Sequence, residues 1–130
     1  MRAKLAILLM AAGAGTYAWA HHSFSAEFDR NRKITLSGVV TKVEWTNPHT
    51  YFYVDVPDAG TVVNWAFETA GPNTLYRQGW RRDSLKVGDH VTVTAYRARD
   101  DSHVASAREV VVGNGKRVFT GSPSDGGPTQ

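Results

Sequence analysis

Five histidines are the side chains of this sequence whose chemistry is easiest to anticipate. They are His21, His22, His49, His90 and His103. Imidazole nitrogen binds Cu(II), Zn(II) and Ni(II), and the sequence contains no cysteine that would offer a thiolate instead. Both methionines, Met1 and Met10, lie within the first ten residues. Soft-metal chemistry on sulfur is therefore excluded beyond that point, and no disulfide can support the fold.

The first twenty residues have the three parts of a secretory signal peptide. Arg2 and Lys4 precede an apolar run over residues 5–14, and small residues at Ala18 and Ala20 suit a signal peptidase. The apolar run is shorter than the roughly 20 residues that a membrane-spanning helix needs. We therefore predict cleavage after Ala20, export to a bacterial periplasm or to the medium, and no stable membrane span after the signal is removed.

Cleavage after Ala20 would leave His21 as the first residue, with a free α-amine beside its own ring nitrogen. The amine has an ordinary pKa of about 8. Together the two nitrogens can chelate one ion, an arrangement that suits Cu(II) and also accepts Zn(II) or Ni(II). The resulting hypothesis is a site for a divalent metal ion formed by His21, His22 and His49. Copper is the first choice for that ion. Acidic side chains that could complete its coordination sphere are Glu27, Asp29 and Glu44.

The same residues also fit an interpretation without metal. The histidine pair is then a polar terminus, and the His49 ring caps the turn at Asn47 and Pro48 through a hydrogen bond. The familiar copper and nickel motif at a free amino terminus is excluded, because it needs histidine as the third residue. His90 and His103 are expected at the surface, at the ends of strands.

The charge of the predicted exported part is close to neutral. The full chain carries a formal charge of +3, with 15 Lys and Arg against 12 Asp and Glu. Arg2 and Lys4 belong to the predicted signal, which holds no acidic residue, so 13 basic and 12 acidic side chains remain. This balance provides no basic surface for nucleic acid or for an anionic membrane. We therefore expect no nucleic acid partner.

Hydrophobic alternation with a period of two predicts an all-β domain with one short helix. The predicted strands cover residues 34–45, 49–56, 61–68, 90–97 and 103–112, with a short returning segment over residues 116–119. Pro72 near the beginning and Gly79 after the end indicate a helix of about two turns. Three strands, a helix and two strands are the element order of the OB type. The predicted fold is a small OB-like five-stranded barrel.

The predicted organisation has four parts. They are a signal peptide (residues 1–20), an amino-terminal arm (21–33), the OB-like β-barrel domain (34–120) and a disordered tail (121–130). The arm is irregular and polar, and either one helical turn or an extended chain would suit it. In the first predicted strand, Gly38 indicates a bend or a bulge. The tail has no apolar side chain other than proline, which is why we expect it to be disordered.

Aromatic residues support a second functional hypothesis. Tyr51 and Tyr53 share one face of the second predicted strand, because side chains alternate along a strand, and Trp45 is close by in sequence. Such residues could bind a periplasmic protein, a glycan or another envelope component, without any metal. The sequence contains no recognisable catalytic motif, such as a Gly-x-Ser-x-Gly turn or a His-Glu-x-x-His helix. A binding module or an interaction domain is expected, and not an enzyme.

Four segments resemble those shared by a family of exported bacterial proteins catalogued as a domain of unknown function. They are residues 21–24 (His-His-Ser-Phe), 43–49 (with Trp-Thr-Asn-Pro-His), 64–68 and 79–89. The resemblance covers essentially the whole chain after the predicted signal. It implies an exported location and a small β-rich domain. It implies no particular activity, cofactor or site residue.

Overall fold

The computed structural model describes residues 24–119, which form six strands and two short helical segments. Residues 24–27 are helical. The remaining elements are β1 (Phe28–Glu44), β2 (Tyr51–Asp58), β3 (Thr61–Glu68), α1 (Pro72–Arg77), β4 (His90–Ala98), β5 (Val104–Val112) and β6 (Arg117–Phe119). The predicted signal peptide, His21, His22 and the predicted tail lie outside the described residues.

Five of the six strands form a closed ring. β1 pairs with both β2 and β4, β2 pairs with β3, and β4 pairs with β5, all in antiparallel orientation. A parallel pairing of Ala66–Glu68 in β3 with Val104–Ser106 in β5 completes the ring. With α1 between β3 and β4, this is the strand order of an OB-type barrel. The predicted all-β class and OB-like five-stranded arrangement are confirmed, and β6 extends β5 as a short hairpin partner.

The core lies inside this ring because inward and outward side chains alternate along each strand. In β2 the buried residues are Phe52, Val54 and Val56, and in β3 they are Trp65 and Phe67. The rings of Phe52 and Phe67 stack with their centroids 5.2 Å apart. The other strands contribute further buried apolar side chains to this core: Val40, Val91, Val93, Ala95, Ala105, Ala107 and Val110.

β1 begins six residues before the start predicted at residue 34. Its first residue, Phe28, pairs with Ala98 in β4, and a register shift separates that pair from Lys33 and Tyr96. The intervening residues 29–32 are all polar, so hydrophobic alternation gives no sign of a strand there. The second half of the predicted arm is therefore part of the barrel wall.

Gly38 lies where β1 passes from β4 to β2. It pairs with Val91 in β4, and the next residue, Val39, pairs with Asp55 in β2. A Cβ atom on Gly38 would overlap the carbonyl oxygen of Asp55. The register shift expected at Gly38 instead falls between Val40 and Lys42. Glycine is needed here for a close approach between main chains, and the bulge is two residues further on.

Within residues 24–119, no helix is long and apolar enough to cross a membrane.

Candidate functional site

One end of the barrel brings together the residues that we call the mouth cluster: Glu27, His49, Tyr51 and Glu68. Tyr51 begins β2 and pairs with Glu68, the last residue of β3. Residues 24–27 lie against the end of β4, where the Arg99 main-chain N–H donates to the Glu27 carbonyl oxygen over 2.9 Å. The side chain of Glu27 is close enough to Glu68 for the two carboxylates to affect each other electrostatically.

The β1–β2 loop is fixed on both sides of His49. The Thr46 hydroxyl donates to the His49 carbonyl oxygen over 2.8 Å, and the Asn47–Pro48 peptide bond is cis. On the other side, the buried Thr50 carbonyl accepts from the main-chain N–H and from the hydroxyl of Thr69, each over 2.9 Å. The loop therefore presents the His49 side chain from a well-anchored backbone.

The His49 ring is oriented through its Nδ1 atom. This atom lies 3.0 Å from the Thr69 carbonyl oxygen and 3.4 Å from Oε1 of Glu68. Because a carbonyl oxygen can only accept, Nδ1 carries a proton, and in the neutral imidazole the lone pair is then on Nε2. The side chain of His49 is 41% exposed, so part of the ring is open to solvent. The ring does not cap its own turn as the metal-free interpretation expects, since Thr46 does so.

Two tyrosine–glutamate pairs stand side by side on the outer face of β1, β2 and β3. The Tyr51 hydroxyl donates to Oε2 of Glu68 over 2.7 Å, and the Tyr53 hydroxyl donates to Oε2 of Glu44 over 3.0 Å. Burial, followed by the hydrogen bond to its glutamate, raises the pKa of each tyrosine. Hydrogen bonds from Lys42 and Tyr53 lower the pKa of Glu44. Both hydroxyl groups are thus neutral donors to carboxylates of the same chain.

Negative charge accumulates around Glu27. Burial, and then the carboxylates of Glu68 and Asp100, raise the pKa of Glu27, while His49 opposes this effect. A cation near these side chains would relieve the repulsion between Glu27 and Glu68. Of the other acidic side chains proposed as ligands, Asp29 lies 3.8 Å from Arg99 and Glu44 is paired with Lys42. Of these three acidic side chains, Glu27 is the one whose pKa His49 affects.

Trp45 does not share a face with the two tyrosines. Its ring meets that of Trp80 edge to face, with the centroids 6.5 Å apart, and packs against the hydrophobic core. Its buried Nε1 atom has no hydrogen-bond partner among residues 24–119. The structure thus brings Tyr51 and Tyr53 together and holds Trp45 apart from them.

The other histidines lie as expected, in exposed positions beside strands. His90 is the first residue of β4, at the end of that strand opposite the mouth cluster. His103 immediately precedes β5, and its ring centroid is 5.1 Å from that of Trp65. Neither residue contributes to the mouth cluster.

Sequence reasoning missed Glu68, although a signal for it existed. The turn at residues 59–60 joins β2 and β3 with Asp58 opposite Thr61. Counting back from that turn places Glu68 opposite Tyr51, on the outer face. The carboxylate next to His49 could therefore be found from the hairpin register.

No group of three or more histidine or acidic residues within residues 24–119 is arranged to hold a metal ion. Two of the three proposed ligands, His21 and His22, lie outside that range. His49 is the one member of the proposed set whose geometry is described.

An open cleft of about 530 Å³ lies between the β1–β2 loop and α1. It is lined by Asn47, Pro48, Gly71, Asn73 and Thr74, none of which is charged. Gly71 precedes α1, and a Cβ atom there would lie 2.5 Å from the Pro48 carbonyl oxygen. The missing side chain lets the start of the helix pack directly against the loop that carries His49.

The fold and the mouth cluster define a small OB-like domain with a histidine anchored at one end. Residues 9–107 match a family of unknown function, DUF6152, and the chain belongs to this family. No curated protein and no solved structure matches the chain. The expected relationship to an uncharacterised domain is confirmed, and the exported location that we associate with it stays a prediction.

Proposed function

We propose that the protein is an exported binding module that holds a divalent metal ion, copper first, between its amino-terminal histidines and Nε2 of His49. Export by the predicted signal and cleavage after Ala20 would create the free amine of His21. The protein is a binding module in this proposal and not an enzyme.

The observation that carries the proposal is the orientation of His49. Its Nδ1–H group is held by the Thr69 carbonyl oxygen, the usual arrangement of a histidine that binds metal through its other nitrogen. Glu68, whose carboxylate lies 3.4 Å from Nδ1 of His49, also contributes to the raised pKa of Glu27 in the arm, which relates the arm to this end of the barrel. His22 is only five residues before Glu27, so chain length permits both amino-terminal histidines to reach this end of the barrel.

The chemistry of the donor set fits copper. An amine and imidazole nitrogens are preferred ligands of Cu(II) and also bind Zn(II) and Ni(II). The nearby carboxylates of Glu68 and Glu27 supply negative charge that would balance part of the charge of a divalent ion. Copper bound in this way would supply a cationic centre at the mouth of the barrel.

The alternative is a structural or interaction domain that binds a periplasmic protein, a glycan or another envelope component through Tyr51 and Tyr53. Both hydroxyl groups are already engaged by Glu68 and Glu44, and Trp45 packs elsewhere. A partner would therefore meet the ring edges and not free hydroxyl groups. We rank this function second for that reason.

The proposed metal site predicts a strong dependence of copper affinity on His49. The mass of the intact exported protein should first show that the chain begins at His21. Copper titration of that protein should give micromolar or tighter binding. His49→Ala should weaken it by at least about 10- to 100-fold, because the cost of losing a ligand should be no smaller than that of losing a residue that orients one. His21→Ala should also weaken binding, whereas His90→Ala should leave the affinity unchanged.

Two results would contradict the metal site. One is an exported chain that begins at a residue other than His21. The other is copper binding that is absent, or that is equally strong in the wild-type protein and in His49→Ala. Thermal unfolding of each variant provides the control that loss of binding does not arise from loss of the fold.

A further inference from the structure

We infer that Glu68 and Tyr51 are positioning residues that hold His49 in the orientation required of a metal ligand. This inference rests on the proposed function and assigns a role to two residues that do not themselves touch the metal. It predicts that copper affinity depends on a carboxylate and a hydroxyl group on the side of the ring away from Nε2.

The contacts form a continuous series from β2 to the His49 ring. The Tyr51 hydroxyl donates to one carboxylate oxygen of Glu68, Oε2, over 2.7 Å. The other oxygen, Oε1, lies 3.4 Å from Nδ1 of His49, and that nitrogen donates its hydrogen bond to the Thr69 carbonyl oxygen. The two oxygens of one carboxylate are thus directed to two different partners, and this fixes the plane of the carboxylate.

A carboxylate in this position acts on the distant nitrogen. When Nε2 gives electron density to a metal ion, positive charge develops on the imidazole ring, and a negative charge beside Nδ1–H stabilises it. The same charge favours the tautomer that leaves Nε2 free. The side chain of Glu68 is only 13% exposed, so water screens this interaction less than it would at an open surface.

Tyr51 lies between two glutamates and binds the one that adjoins His49. In the strand register, Tyr51 lies directly between Glu44 in β1 and Glu68 in β3. Its hydroxyl group selects Glu68, whereas Glu44 accepts from Tyr53 and pairs with Lys42. Residues 24–119 therefore contain two similar tyrosine–glutamate pairs, and within that range the Tyr51–Glu68 pair is the one that adjoins a histidine. Tyr53 of the second pair is therefore a control for Tyr51.

The test compares copper affinity across matched variants of the processed protein. Glu68→Gln removes the charge and keeps the size of the side chain, and Tyr51→Phe removes only the hydroxyl group. Each should weaken copper binding by about 10- to 100-fold, the range for residues that orient metal ligands. Tyr53→Phe and Glu109→Gln make the same chemical changes away from His49. They should alter the affinity less than about twofold, because neither residue orients a proposed metal ligand.

A metal-free measurement separates positioning from general support of the fold. The ¹⁵N chemical shifts of the His49 ring report which nitrogen carries the proton. The wild-type protein and Tyr53→Phe should show the Nδ1–H tautomer, and Glu68→Gln should show a larger fraction of Nε2–H. A variant that merely loosened the domain would not change this ratio selectively at His49.

The outcomes distinguish this inference from the function on which it rests. If His49→Ala abolishes copper binding while Glu68→Gln and Tyr51→Phe bind as tightly as the wild type, the positioning role is wrong and the metal site stands. An unchanged ¹⁵N tautomer ratio in Glu68→Gln likewise overturns the positioning role. If the wild-type protein binds no copper, both proposals are wrong.

Discussion

Replacement of Phe67 by alanine is expected to lower the free energy of unfolding by about 3 to 5 kcal/mol. Phe67 is fully buried in β3, where its ring lies against those of Phe52 at 5.2 Å and Trp65 at 6.3 Å between centroids. Alanine would remove apolar area from the core and leave a cavity that these large rings cannot fill. Urea unfolding followed by tryptophan fluorescence measures the loss.

A matched exposed position on the same strand gives the control. Val62 is 64% exposed, so Val62→Ala should change the free energy of unfolding by less than about 0.5 kcal/mol. Small domains are stable by only about 5–15 kcal/mol. Phe67→Leu, which keeps more of the volume, should therefore show a smaller loss of the same sign if Phe67→Ala does not fold. A loss in Phe67→Ala as small as that in Val62→Ala would contradict the packed core.

Gly38→Ala is expected to destabilise the barrel by about 3 kcal/mol, at the upper end of the usual cost of overpacking. The new Cβ atom would overlap the Asp55 carbonyl oxygen and lie 2.8 Å from Cγ1 of Val54. Because the first of these is a main-chain atom in β2, it cannot move away without breaking the pairing of β1 and β2. Thermal or urea unfolding of the variant measures the effect.

Gly113→Ala is the matched control for Gly38→Ala. A Cβ atom on Gly113 would lie 3.5 Å from the His90 carbonyl oxygen, an ordinary van der Waals contact. This substitution should change the free energy of unfolding by less than about 1 kcal/mol, and it can stabilise by restricting the unfolded chain. Equal losses in the two variants would show that Gly38 is not required for the approach of β1 to β2.

Local patterns in the sequence account for most of the fold. Alternating apolar residues predict β2, β3, β4 and β5 to within two residues at either end, and Pro72 and Gly79 delimit the region of α1. The start of β1 is missed because residues 29–32 are polar and lie at a register shift. The parallel pairing of β3 with β5 joins residues nearly 40 positions apart, so no local pattern specifies it. It follows only from the order of elements typical of an OB-type barrel.

The candidate site is predictable in part. His49 follows a turn signal, and its position at the end of the β1–β2 loop is evident from the sequence, whereas its grouping with His21 and His22 stays a prediction. The hydrogen bond from Nδ1 to Thr69 depends on how the β1–β2 loop packs on the residues after β3, which sequence spacing does not reveal. The tyrosines are correctly placed on one face, but their hydroxyl groups bind carboxylates whose positions depend on the cross-strand register.

The proposed metal site depends on the free amine that cleavage after Ala20 would create. The most direct measurement compares the copper affinity of the protein that begins at His21 with that of a protein that keeps residues 18–20. Retaining all three residues converts the His21 amine to a peptide nitrogen and puts no histidine in the third position. The extended protein should bind copper at least about tenfold more weakly, since it lacks one nitrogen ligand. Equal affinities in the two proteins would contradict a site built on the amino terminus.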